Sequence, residues 1–304
     1  MKKKIASAIS VLFLTACMAQ PSFGHIVEID LNLDANGHLR VPVDVGEAGT
    51  FDFILDTAAS RTGVMQPLVR ELGWQPLEGE GATVNGMAGA TQIEMYAPQN
   101  LTIGGELPFR SQDLPALGEL AIHGDPFYGI LGSDFFENFA VEIDATGERL
   151  RFTGHGSEGL TEGGNFSNAA LTEHEMGGIW MLEVMVGDVP VAALLDTGAR
   201  GSVMNRAAAE ALGVQLPPAP PVGEGEDITG AAGHHQAGIG LQIGEISIGD
   251  RTWENVQVVV SDVHVFDVLE MQDRPAMILA SDLLFDGRLV VDYADGRVYI
   301  ENVE

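Results

Sequence analysis

The sequence predicts an all-β protein built as two equivalent lobes, each carrying one short helix. Three observations lead there. The stretch "FILDTAAS" (53–60) returns 140 residues later as "ALLDTGAR" (193–200). The segments in front of both alternate apolar and polar residues with the two-residue period of a half-buried strand. Behind both, further features follow in the same order, which marks an internal duplication.

The chain opens on an export signal. "MKKK" is a basic start, and "IASAISVLFLTA" is an apolar run too short to span a bilayer comfortably. Residues 1–24 therefore read as a leader and a short tether. The run ends in Leu14-Thr15-Ala16-Cys17, which resembles a bacterial lipoprotein box. That resemblance implies an acylated Cys17 as the new N-terminus, each buried methylene adding about 0.8 kcal/mol to the tether. Met18 stands where an aspartate would imply inner-membrane retention, so attachment to the outer membrane is the expectation. Ordinary signal cleavage slightly downstream is the alternative. Cys17 is the only cysteine, which rules out an intrachain disulfide.

The first lobe is expected over 25–153 and the second over 173–304, joined by a Gly/Ser-rich connector at 154–172. Each lobe begins with a strand, "LRVPVDV" (39–45) or "MLEVMVGDVPV" (181–191). After each aspartate comes a helical segment, "PLVRELG" or "RAAAEALG". Gly73 and Gly213 stand 17 residues past Asp56 and Asp196, where a glycine would stop the helix. Glycine-rich hairpin tips follow at 85–89 ("NGMAG") and 229–233 ("TGAAG"). An apolar step comes next, Ile130-Leu131-Gly132 or Ile278-Leu279-Ala280. Each lobe closes on a strand–turn–strand, "AVEIDATGERLRF" or "LVVDYADGRVYI".

At 304 residues the chain can bury a full core, and 45% hydrophobic with 19% charged residues describes a folded protein. The net charge of −29 argues against nucleic acid or anionic membrane surfaces as partners. No run after the leader is apolar enough to cross a membrane.

Asp-Thr-Gly/Ala, a helix, a glycine-rich hairpin and an apolar-apolar-Gly step, given twice, resemble the aspartic peptidases. The likeness covers about 37–152 and 179–300, retropepsin-like lobes fused as in the pepsin-like enzymes. It implies a two-lobed acid-protease barrel pseudo-dimer acting as an aspartic endopeptidase on a peptide or protein, without cofactor or metal. Covalent duplication removes the need for a homodimer, so a monomer is expected. Asp56 and Asp196 would be the catalytic pair. Thr57, Ala58, Thr197 and Gly198 would support them, the threonine hydroxyls reaching the opposite loop. Gly86, Met87, Ala88, Gly230, Ala231 and Ala232 match flaps that close over an extended peptide by strand addition.

The chemistry explains why two copies are needed. Water attacking a peptide bond needs a base, and the carbonyl oxygen needs an acid. Two carboxyls about 3 Å apart in a poorly solvated site cannot both ionise, so the pair keeps one proton and supplies both roles. Apolar "FIL" and "ALL" would pin each aspartate's strand in a dry core. Ala59 and Ala199 stand where pepsin-like enzymes often carry hydroxyls, so the pair is expected to titrate high and to work at weakly acidic or neutral pH. Arg61 and Arg200 could pull the other way. Ala58 and Ala280 each add a methyl where the family has glycine. Two rivals use the same scaffold: a peptide-binding protein that does not cut, and an envelope assembly factor.

Other signals carry less. "GHGSEG" (154–159) satisfies Gly-x-Gly-x-x-Gly, but no helical pattern follows to receive a pyrophosphate. His234 and His235 are adjacent rather than four apart, which suits exposed side chains better than a metal. Asp144 and Asp292 recur faithfully, each before a turn, where a bond to backbone is expected.

Overall fold

The computed structural model describes residues 25–79, 81–118, 126–154, 156–230 and 233–303. The leader and Cys17 lie outside them, as do Ala231 and Ala232 of the second hairpin tip. Among the described residues 47% are strand and 11% helix, in the two-lobed arrangement that the duplication requires.

Within each lobe the aspartate's strand is the pivot. Thr50–Leu55 runs parallel to Gly129–Leu131, pairing Leu55 with Leu131. In the second lobe Val189–Leu195 runs parallel to Ala276–Leu279, pairing Leu195 with Leu279. The apolar step thus lies beside the end of the aspartate's strand in both halves. Both strand ends are fully buried, which fixes register, since a one-residue slip would turn the core face outward. Gly63–Met65 and Val203–Met204 complete the motif by pairing antiparallel with the same step.

The lobes are joined by a six-stranded sheet to which both contribute. Its seam pairs Ala140–Asp144 with Arg288–Asp292, placing Glu142 opposite Val290 and Asp144 opposite Arg288. At the seam Glu142, fully buried, binds Arg151 of its own lobe and lies 3.5 Å from Arg288 of the other. Asp144 accepts the Gly147 N–H at 2.8 Å and Asp292 the Asp295 N–H at 3.1 Å, so both repeated aspartates tie down hairpin turns.

Gln66–Leu72 and Arg206–Ala211 are the two expected helices. Gly73 caps the first in the left-handed region, at φ 65°, and Asn205 caps the second by accepting the Ala208 N–H at 2.9 Å. The helix content differs from one per lobe, because four further short helices are present. Ser133–Phe136 and Ser281–Leu284 follow the apolar steps, Glu158–Thr161 lies in the connector and His264–Val268 in the second lobe. Elements of four or five residues are too short to show a 3.6-residue period.

The connector is more structured than its composition suggests. Phe166–Ala170 adds an edge strand to the interlobe sheet, pairing Phe166 with Glu301. The glycines on either side hide a five-residue strand whose Ser167 is buried. The helical turn at Glu158–Thr161 begins inside "GHGSEG", yet it is one turn long.

Candidate active site

The two aspartate loops meet at the interface between the lobes. Thr57 N–H donates to Thr197 Oγ1 at 3.1 Å, and Thr57 Oγ1 donates to Leu195 O at 2.8 Å. Thr197 N–H donates to Thr57 Oγ1 at 3.1 Å, and Thr197 Oγ1 to Leu55 O at 3.1 Å. Four reciprocal bonds between residues 1% exposed lock the strand ends that carry Asp56 and Asp196.

Each aspartate is held in the same way by its own loop. Asp56 Oδ1 accepts the N–H groups of Ala58 at 2.9 Å and Ala59 at 3.0 Å. Asp196 Oδ1 accepts those of Gly198 at 3.0 Å and Ala199 at 2.8 Å. Ala59 and Ala199 therefore bond the carboxylates through their backbones, although they lack hydroxyls. One oxygen of each carboxyl is spoken for by its loop, and Oδ2 is the oxygen left over. Asp56 Oδ2 faces the opposite loop, where a Cβ on Gly198 would lie 2.8 Å from it.

Burial raises Asp56 above the ordinary carboxylate range, against the pull of the two N–H donors. Asp196 is raised to about 8, first by burial and then by the neighbouring charge of Asp56. The high titration expected from sequence has burial as its first cause. Neither arginine acts on the pair. Arg200 donates to Asn36 O at 3.3 Å across the lobes, and the charge of Arg61 acts on Asp134.

The two hairpins expected as flaps meet each other beside the apolar cluster of the second lobe. Gly81–Gly86 and Gly89–Tyr96 form the first flap, with Met87 and Ala88 as a two-residue tip. Met87 packs with Ala58 against the apolar cluster of the second lobe. Its carbonyl accepts the Val265 N–H at 3.2 Å. The second flap, Glu226–Thr229 with His235–Ile248, brings Gly230 against Ala88, where a Cβ would come within 2.9 Å of Ala88 N. His234, exposed as expected, spans the two flaps: its Nε2 lies 2.8 Å from Thr91 Oγ1 and 3.1 Å from Ala90 O. A carbonyl can only accept, so Nε2 carries the proton.

Four residues around the pair had no place in the sequence reading. Thr62 and Ser202 each stand six residues past an aspartate, and Asp134 and Asp282 each two past the apolar step. Thr62 Oγ1 donates to Asp134 at 2.7 Å, and Ser202 Oγ to Asp282 at 2.7 Å. The signal was present: Ser-Asp follows both Gly132 and Ala280, and a hydroxyl recurs at the matching position of each lobe.

No group of three or more acidic, histidine or cysteine side chains among the described residues could hold a metal ion. Two lobes of one design, a reciprocal threonine lock and paired aspartates, Asp196 buried and Asp56 half-buried, define an aspartic peptidase architecture. The chain belongs to the aspartyl protease family, whose model matches residues 41–135 and again 182–283. The two matches fall one on each lobe, and a protease-like function goes with that membership. No curated protein matches the chain.

Proposed function

We propose that the protein is an aspartic endopeptidase in which Asp56 and Asp196 share one proton and activate a water between them. The observation that carries this reading is geometric: the reciprocal threonine lock brings one aspartate from each lobe to the same place, with Asp56 Oδ2 facing the Gly198 loop. Burial raises both carboxyls, and the charge of Asp56 raises Asp196 further from its ordinary value. Asp196 keeps the proton and acts as the acid on the scissile carbonyl. Asp56, ionised, takes a proton from the attacking water. Their roles exchange as the tetrahedral intermediate collapses, and each titration step belongs to the pair.

An extended peptide would lie between the flaps and the pair, bonded along its backbone by the flap strands. Ala58 does not keep the loops apart: it packs, as Met87 does, against the apolar cluster of the second lobe. The pair holds a single proton between the titration of Asp56 and about pH 8, which sets activity at weakly acidic to neutral pH. As in the sequence reading, export with a lipid on Cys17, an envelope location and a monomeric state belong to this proposal.

The test is incubation of the purified protein with a mixed peptide library, with and without a transition-state-mimicking inhibitor of aspartic peptidases. Inhibitable cleavage that falls by about a thousandfold or more in Asp56→Asn and in Asp196→Asn is the expected result. Peptides retained intact by the wild-type chain would overturn it in favour of a binding protein.

A further inference from the structure

We propose that Asp134 and Asp282 are positioning residues, each fixing one aspartate of the pair through a hydroxyl and a single peptide group. The catalytic consequence rests on the peptidase reading above; the connection itself rests on geometry.

In the first lobe the Asp56 N–H donates to Leu131 O at 3.1 Å. That carbonyl belongs to the same peptide group as the Gly132 N–H, which donates to Thr62 Oγ1 at 3.1 Å. Thr62 Oγ1 in turn donates to Asp134 Oδ1 at 2.7 Å. The second lobe repeats every link. Asp196 N–H donates to Leu279 O at 3.0 Å, Ala280 N–H to Ser202 Oγ at 3.1 Å, and Ser202 Oγ to Asp282 Oδ1 at 2.7 Å. Thr62 is fully buried and Ser202 nearly so.

All donors point the same way, from the pair's backbone toward an acidic side chain, so each bond polarises the next. The last link ends on an acidic side chain, where an ionised oxygen makes the strongest acceptor. Asp134 and Asp282 lie in the first turns of short helices, and their side chains reach back to Thr62 and Ser202. The chain of bonds therefore clamps the residue at which strand turns into loop, one side chain away from the reacting atoms.

The lobes differ in one detail that makes the idea testable. Asp134 Oδ1 accepts both the Thr62 hydroxyl and the Thr62 N–H, at 2.8 Å, while its Oδ2 is buried without a hydrogen-bond partner. Asp282 divides the work, with Oδ1 on the hydroxyl and Oδ2 on the Ser202 N–H at 3.1 Å. An asparagine at 134 can keep its one carbonyl oxygen on both donors. At 282 its NH2 must face a donor.

The experiment compares wild type, Thr62→Val, Thr62→Ser, Asp134→Asn and Asp282→Asn. It measures kcat and KM on a cleaved library peptide, and amide hydrogen exchange at Asp56, Gly132, Asp196 and Ala280. Thr62→Val is expected to lower kcat about 100-fold with KM within about twofold, the scale of a small misplacement of reacting groups. Exchange at Gly132 and Asp56 should rise while the interlobe sheet stays protected, and Thr62→Ser should restore both. Asp282→Asn should lose at least about tenfold more kcat than Asp134→Asn, a misplaced donor being costlier than a spare one. Wild-type kcat and protection in Thr62→Val, or loss of protection across the whole chain, overturns the proposal. If the wild type cleaves nothing, the peptidase reading falls and exchange alone decides: faster at Gly132 and Asp56 supports the clamp, unchanged overturns it. Should Thr62→Val not fold, Ser202→Ala removes one oxygen and carries the same comparison on Ala280 and Asp196.

Discussion

A Cβ on Gly198 would lie 2.6 Å from Asp56 Cγ, so a single methyl there drives the two loops apart. Gly198→Ala is expected to cut kcat/KM by about 100-fold or more, measured on any cleaved peptide. Burial of the pair also has a cost in stability. Asp196 titrates near 8 in the folded chain against an ordinary value of 3.8, so between those values the folded state holds a proton that the unfolded state has released. Stability from this group is complete below about pH 4 and is lost as pH rises through about 8. Asp196→Asn removes that penalty. Its melting temperature should exceed wild type by on the order of 5 °C at pH 8, and the gain should shrink toward pH 4. Equal gains at both pH values would contradict the shared-proton account.

At the scale of elements, the two glycine-tipped hairpins are joined to each other and to the second lobe. His234 bridges to Thr91 and Ala90, and Val265 holds the Met87 carbonyl. His234→Ala is expected to speed amide exchange severalfold over 85–91 without affecting the threonine lock, because an opened surface turn costs little. The strands around each aspartate, the two main helices and both hairpins were legible in the sequence, since alternation, glycine stops and glycine-rich tips all repeat. The matching aspartates and threonines were legible for the same reason. The helix His264–Val268 was not, being too short for a period, and so its grip on Met87 was missed. Nor was the strand Phe166–Ala170, hidden among glycines. Thr62 and Ser202 escaped because a lone buried hydroxyl has no pattern; only laying one lobe over the other exposes it.

At the scale of the molecule, the lobes are held together by the seam of the shared sheet as well as by the threonine lock. Glu142 is fully buried there between Arg151 and Arg288. Glu142→Leu strands the Arg151 guanidinium, while Arg288 keeps Glu301, and is expected to cost about 3 kcal/mol, read from the midpoint of equilibrium denaturation. A midpoint unchanged from wild type would mean that the seam contributes little to the union of the lobes. That union is what brings one aspartate from each half to the same place, and the threonine lock keeps them there. The most direct test is a carboxyl-carbon NMR titration of Asp56 and Asp196 in the wild-type chain. The account predicts two separated steps, the upper near pH 8, with the Asp196 step moving down in Asp56→Asn as the neighbouring charge disappears. Two independent steps near pH 4, unmoved by Asp56→Asn, would contradict it.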